Sequence, residues 1–416
     1  LIKHRGLISF LLILFCCSAN SNEFNGLLQV GLSYSDTDKP WLVSWLRNGT
    51  GVTRFDSEND GLDINLLALE YTTDFSDSTS IQLSGIYYPD GEERFGITEA
   101  FVDINPIAEG WKNSGRIGLF YPSFSFENPD TAWNSPYTYS FSAINTWVAE
   151  ELRILGGEWS LTRPGKAFRS PHTFKFVASL YTANDPIGTI LSWRGWGLSQ
   201  RQTFWGERVE FADYPSLDTV LSFQPPWVEP FEEIDDNIGY YVGTHWRYKT
   251  NSELRVYFYD NNADETERIS PQGQYAWETN FVSIAWQYRF NKHTRILTQY
   301  MNGETVMGWS ETGDDYVVQA PFNAFYLLAS HKQGEHRFSI RYDKFKVEDE
   351  DAYPLSDPNN SDGDAWTINW RYNLTAQTQF GIESLWVDST NQSRTLWNWP
   401  AREKQHQMQA ILQYRF

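Results

Sequence analysis

Apolar and polar residues alternate along most of this 416-residue chain, in stretches separated by clusters of Asp, Asn, Gly and Pro. A period of two is the mark of a strand that shows one face to an apolar surround and the other to a polar one. Sixteen such segments are read at 26–35, 62–72, 79–88, 95–104, 112–121, 148–158, 172–182, 237–248, 252–260, 275–289, 293–302, 322–331, 336–346, 364–373, 376–388 and 405–416. Their connections fall into two classes in rotation. One class is tight, as at Thr250-Asn251, Asn291-Lys292 and Leu374-Thr375, with 159–171 the longest. The other is long: 36–61, 122–147, 183–236, 261–274, 303–321, 347–363 and 389–404, with 89–94 a short exception. An even number of strands with turns at one end and loops at the other predicts an all-β protein, a transmembrane antiparallel β-barrel. The segment 190–197 also alternates, and as a strand it would raise the count to eighteen.

Composition agrees with a barrel and excludes a helical membrane protein. No run beyond the N-terminal segment approaches the ~18 apolar residues of a spanning helix, yet aromatics make up 17% of the chain. His245-Trp246-Arg247-Tyr248, Ala285-Trp286-Gln287-Tyr288-Arg289-Phe290, Asn369-Trp370-Arg371-Tyr372 and Leu412-Gln413-Tyr414-Arg415-Phe416 each close a strand that runs to the tight-turn end. They are read as an aromatic girdle at the periplasmic interface. Residues 1–19 read as an export signal, with basic Lys3, His4 and Arg5, an apolar core from Gly6 to Phe15, and a small-residue site at Cys17-Ser18-Ala19. That leaves 20–416 as the barrel. A C-terminal strand ending on Phe416 predicts hand-over to the barrel-assembly machinery and residence in the cell outer membrane, against lipid and lipopolysaccharide.

The pleat says which side chains face inward. Phe338, Ile340 and Tyr342 take the lipid phase, so Arg337, Ser339 and Arg341 face the lumen; Phe174, Phe176, Ala178 and Leu180 leave Lys175 and Ser179 inside. The same parity places Arg116, Arg153, Arg255 and Arg371 in the lumen with Glu151 and Glu383. A charge on the lipid face costs roughly 2–4 kcal/mol at the midplane. Two roles stay open for these bases: balancing lumen carboxylates, or forming a track that lowers the barrier to anions.

The stretch Arg116-Ile117-Gly118-Leu119-Phe120-Tyr121-Pro122-Ser123-Phe124-Ser125-Phe126-Glu127 resembles R-V-G-K-F-K-P-P-F-G-L-E of the phosphate- and polyphosphate-selective porin family, matching at Arg116, Gly118, Phe120, Pro122, Phe124 and Glu127. The likeness runs weakly over 98–156. It implies a trimer of sixteen-stranded barrels whose third external loop, here 122–147, folds inward as a constriction. Read from its own residues, that loop either lines a narrow eyelet with Phe124, Glu127, Asp130, Trp133 and Tyr137 or uses its aromatics to pack against the inner wall. Leu119 and Tyr121 stand where the family stretch has lysine. The resemblance thus supports a porin more than a phosphate preference.

Other chemistries find little support. With 33 Lys and Arg against 53 Asp and Glu, a net charge of −20, nucleic acid is not expected as a partner. No nucleophile elbow, nucleotide motif or haem motif is present, and no enzyme activity, cofactor or metal is expected. Asp357 to Asp364 is only loosely like a calcium loop. His172, His245, His293, His331, His336 and His406 are all expected near periplasmic strand ends. The reading is a porin passing small hydrophilic solutes, with an anion bias. A carbohydrate-selective porin that stacks sugars on loop aromatics is one alternative, and a plugged surface receptor or adhesin is another.

Overall fold

The computed structural model describes residues 22–217, 219, 222, 224–269, 273–309, 316–351 and 358–416. The expected export signal lies outside them. Sixteen strands close into one antiparallel barrel. In chain order its first seven strands are β1 Asn22–Ser35, β2 Gly61–Ser76, β3 Thr79–Tyr87, β4 Phe95–Ile104, β5 Lys112–Phe120, β6 Ile154–Arg163 and β7 His172–Thr182. A two-stranded hairpin, β8 Val209–Glu210 and β9 Trp227–Val228, sits in the loop that follows. The barrel resumes with β10 Gly239–Tyr248, β11 Ser252–Asp260, β12 Glu278–Arg289, β13 Thr294–Trp309, β14 Tyr316–Gln333, β15 His336–Val347, β16 Ser361–Asn373, β17 Thr378–Asn391 and β18 Arg402–Arg415. The ring shuts where β1 pairs with β18, from Leu27 opposite Arg415 to Ser35 opposite Gln407. Phe416 adds to the seam: its carbonyl accepts from Gly26 N–H at 2.8 Å, and its own N–H donates to Gly26 O at 3.2 Å.

Alternation puts an apolar belt on the outside. Leu180, Ile117, Leu32 and Ile368 are each about half exposed or more to the barrel's surround, while their sequence neighbours are buried or half-buried within. Trp246, Tyr248, Trp286, Phe290, Tyr414 and Phe416 are exposed near the turn end, as the girdle expectation requires. A closed ring leaves no strand edge unpaired, the condition for crossing hydrocarbon with strands.

Several segment boundaries move. β13 and β14 are longer than expected because pairing continues past the apolar belt into the loops, as far as Trp309 opposite Tyr316. Asp357 lies outside the described residues, and Ser361 to Gly363, read as loop, begin β16. His406 is at the loop end of β18 rather than the periplasmic end, bonded to Ser384. Two alternating segments prove helical. Residues 190–197 overlap a short helix, α2 Thr189–Arg194, so the barrel holds sixteen strands and not eighteen. Residues 148–151, expected to start the sixth strand, belong to α1 Ala143–Glu151, and that strand begins only at Ile154. The cap explains α1: the Ser142 hydroxyl accepts from Asn145 N–H at 3.2 Å, while Glu127 receives the Ser142 N–H at 3.0 Å. A helix that feeds straight into a strand hides its own end. Val148, Leu152 and Ile154 share one phase by accident of that junction, and Glu150 between them breaks it.

Candidate functional site

The two longest connections do not stay outside the ring. The third, from Tyr121 to α1, reaches wall after wall: Phe124 packs on Tyr257 of β11 at 4.8 Å and Phe281 of β12 at 5.7 Å. Asp130 pairs with Arg415 of β18, and Glu70 of β2 accepts the Ala132 N–H at 3.1 Å. The Ser140 N–H donates to Glu383 of β17 at 2.8 Å. The fourth connection lies against it, with Phe141 N–H donating to Ser199 O at 3.0 Å and Tyr88 of the β3–β4 connection donating to Gln200 O at 2.9 Å. Every residue of α1 and α2 is buried.

What fills the loop-side half is therefore a core inside a barrel. Trp147 of α1 meets Phe281, Phe322 and Trp196 at 5.2 to 5.8 Å between ring centres. Glycines on the inner wall leave room for it, since a Cβ on Gly96 would overlap the Phe204 ring and one on Gly381 would overlap Tyr139. Polar ties hold the loops to the wall and to each other. Arg341 is wholly buried and donates to Glu127 at 2.9 Å, Asp343 at 2.6 Å, Thr138 at 3.0 Å and the carbonyls of Ser140 and Phe141. Arg194 of α2 pairs with Glu150 of α1 at 2.6 Å. Glu151 accepts from Trp147 Nε1 and from the N–H groups of Ile190 and Leu191. Burial pushes its carboxyl up to about 7.

The turn-side half is different. Beneath the third connection lies a cavity of ≈630 Å³ lined by Arg116, Lys175, Arg247, Arg255, Arg289 and Arg295, with His245, and by only two acids, Glu99 and Glu253. Phe101, Tyr121, Phe126, Trp133 and Tyr137 supply its aromatic wall. Register explains the concentration of charge. Lys175, His245 and Arg255 stand side by side on β7, β10 and β11; Arg289 faces Arg295 across β12 and β13; Lys332, Arg337 and Arg371 stand in one row on β14, β15 and β16. Directly opposed like charges destabilise a sheet by roughly 0.2–1 kcal/mol each. Among the described residues, no carboxylate lies within 4.0 Å of Lys175, Arg289, Arg295, Lys332, Arg337 or Arg371.

The inward bases expected from parity thus divide into three groups. Arg153 and Arg341 are enclosed: Arg153 donates to Thr203 O at 2.7 Å and to the Tyr121 hydroxyl. Arg116 and Arg255 line the cavity with partners, Glu158 at 3.0 Å for the first, and Glu253 at 3.0 Å with the Ser125 carbonyl at 2.7 Å for the second. Lys175, Arg337 and Arg371 have no carboxylate partner, and of these Arg371 is buried, donating to Ser135 O at 3.3 Å with its guanidinium over Tyr139. Of the constriction set, Phe124 and Glu127 are buried in the loop core, Asp130 holds Arg415, and Trp133 and Tyr137 meet the cavity. Arg295 donates to the Tyr137 hydroxyl at 3.0 Å. Parity alone would have found Arg289 and Arg295, which flank the tight Asn291-Lys292 turn, but their facing register belongs to the folded hairpin.

Metal-type donors gather elsewhere. Asp185, Glu233 and Asp235 bring carboxylate oxygens within 4.8 Å of one another in the fourth connection. Burial, with the adjacent Glu233 and Asp235, pushes Asp185 up to about 7, against the N–H groups of Ile234 and Asp235 that it accepts from. Both of these backbone donors fall on one oxygen, Oδ2.

No protein-family model and no curated protein sequence matches the chain. Solved structures do match in fold. The outer-membrane channel DcaP of Acinetobacter baumannii is similar at 11% identity over 95% of this chain and 97% of that one, with a TM-score of 0.55. OmpT of Vibrio cholerae in its trimer form is similar at 9% identity, over 96% of this chain and 100% of that one, with a TM-score of 0.51. OmpF of Salmonella typhi, solved with daunomycin, is similar at 9% identity over 96% and 98%, also at 0.51. The chain has the fold of the outer-membrane porins, and a closed barrel with an apolar belt belongs in that membrane.

Proposed function

We propose that this protein is a porin, a passive water-filled channel for small hydrophilic solutes, biased toward anions, with 122–147 as its constriction and three barrels to an assembly. One observation carries the reading. In a chain of net charge −20, the cavity beneath the third connection is lined by six basic side chains and two acidic ones. Clefts lined by one sign of charge, with low-dielectric walls, raise the local concentration of the opposite ion. The membrane-spanning ring and the porin fold are consistent with passage. Selectivity rests on Lys175, Arg289, Arg295, Arg337 and their neighbours rather than on Arg341, whose charge is consumed in holding the loop.

A second reading, a plugged receptor or adhesin, is favoured by the burial of both loop helices within the ring. Planar-bilayer recording under a KCl gradient separates the two. Stepwise openings with an anion-signed reversal potential support the channel; openings with a cation sign remove the bias; silence at all voltages overturns the porin reading in favour of the plug.

A further inference from the structure

The third connection carries two consecutive non-glycine residues in the left-handed region, Ala132 at φ 49° and Trp133 at φ 58°. Such a conformation costs roughly 1–2 kcal/mol per residue and persists only where surroundings enforce it. Here they do. Glu70 accepts the Ala132 N–H at 3.1 Å, the Gln202 and Asn134 amides donate to Ala132 O at 3.0 and 3.2 Å, and the Asn128 amide donates to Trp133 O at 3.2 Å. The product is a fixed indole. Trp133 lies half-buried on the cavity wall, stacked on Tyr121 with ring centres 4.2 Å apart and planes 15° apart. The Arg153 guanidinium lies 4.4 Å from the Tyr121 ring centre and donates to its hydroxyl, which holds that ring in place.

We propose that this cavity is a binding site for aromatic carboxylates, small anions in which one planar ring bears one carboxylate. The proposal deepens the channel reading and rests on it for the route by which solute arrives. Trp133 offers a flat π surface, with Phe126 and Tyr137 beside it in the same wall. Lys175, Arg289 and Arg295 offer N–H donors that no carboxylate of the described protein occupies. A carboxylate is the planar partner that a guanidinium binds through two parallel hydrogen bonds. A bare inorganic anion would gain nothing from the aromatic wall, and Glu99 and Glu253 repel the further charges of a polyanion. At ≈630 Å³ the cavity is within the range of small-molecule sites.

The test is calorimetric titration of the purified full-length protein in detergent with benzoate, cyclohexanecarboxylate and inorganic phosphate at matched ionic strength. Benzoate is expected to bind roughly tenfold more tightly than cyclohexanecarboxylate, the ratio that about 1.4 kcal/mol of ring stacking produces. Trp133→Leu is expected to erase that ratio, and Arg295→Gln to weaken both carboxylates while keeping it. Heat-modifiable migration on gels checks that both variants remain barrels. Equal binding of benzoate and cyclohexanecarboxylate, a preference for phosphate, or an unchanged ratio in Trp133→Leu overturns the proposal. The bilayer experiment fails separately: a conducting protein without ring preference keeps the channel and loses this site, whereas a silent protein that prefers benzoate keeps the site and loses the channel.

Discussion

The two halves of the lumen are built from the same inward-facing phase of the same strands, yet they solve opposite problems. In the loop-side half, Tyr241, Tyr257, Tyr259, Phe281, Phe322 and Phe345 turn inward and are covered by α1, α2 and their connections. In the turn-side half the inward positions are Arg, Lys, Gln and Ser, and water has room. Two arginines on one strand show the contrast. Arg341 of β15 is surrounded by six acceptor groups and is structural; Arg337, four residues nearer the turn, donates to Ser330 Oγ at 3.1 Å and lies over Tyr137 at 5.5 Å. Facing inward thus does not make a residue pore-lining. What decides is whether a loop covers it.

The contrast is most strongly broken by Arg341→Ala, which strands Glu127 and Asp343 as buried unpaired acids. Removing one partner of a buried ion pair costs about 3–5 kcal/mol. The third connection is expected to detach, giving larger single-channel conductance and a lower urea midpoint with the barrel still heat-modifiable. Next comes Trp147→Ala, which leaves a hole among Phe281, Phe322 and Trp196; about 3 kcal/mol is expected, the lower end of such truncations because a loop helix can settle. Faster proteolysis within 183–207 would register it.

Acidity sharpens the comparison without any mutation. Burial raises the Glu151 carboxyl from 4.5 to about 7. The docked state therefore holds its proton more tightly than the undocked one. Docking is strongest below about pH 4.5 and weakens as pH rises through 7, by on the order of 1–3 kcal/mol, after which it levels off. Hydrogen exchange in α1 and α2 is expected to quicken across that window, and Glu151→Gln to flatten the profile. Glu150, paired with Arg194 next to it, is raised by burial as well and adds in the same sense. The smallest effect is expected from Arg295→Gln with Arg337→Gln. Relieving three facing pairs, Arg289 with Arg295 and Arg337 with both Lys332 and Arg371, leaves stability unchanged or raised by about 0.2–1 kcal/mol each, while the reversal potential moves toward zero. An unaltered reversal potential would remove these bases from the conduction path.

Much of the barrel was legible in the alternation, because a ring of strands between lipid and water imposes period two on every segment. The girdle at Trp246, Trp286 and Tyr414 and the inward parity of Arg337 and Lys175 follow from that one constraint. The alternation failed where its cause was absent. Residues 143–151 and 189–194 are buried inside the ring, so their apolar spacing reports packing there and in part mimics that of a strand.

By itself the sequence determined the strand set, the phase of each strand and the ends at which loops and turns lie, since local chemistry and period settle these. Tertiary structure alone decided which inward bases are free. The facing pair of Arg289 and Arg295 exists only through the register of two strands, and the enclosure of Arg341 depends on a loop some 200 residues away in the chain. Charge pairing is a property of distance in space, which a pattern along one chain does not carry.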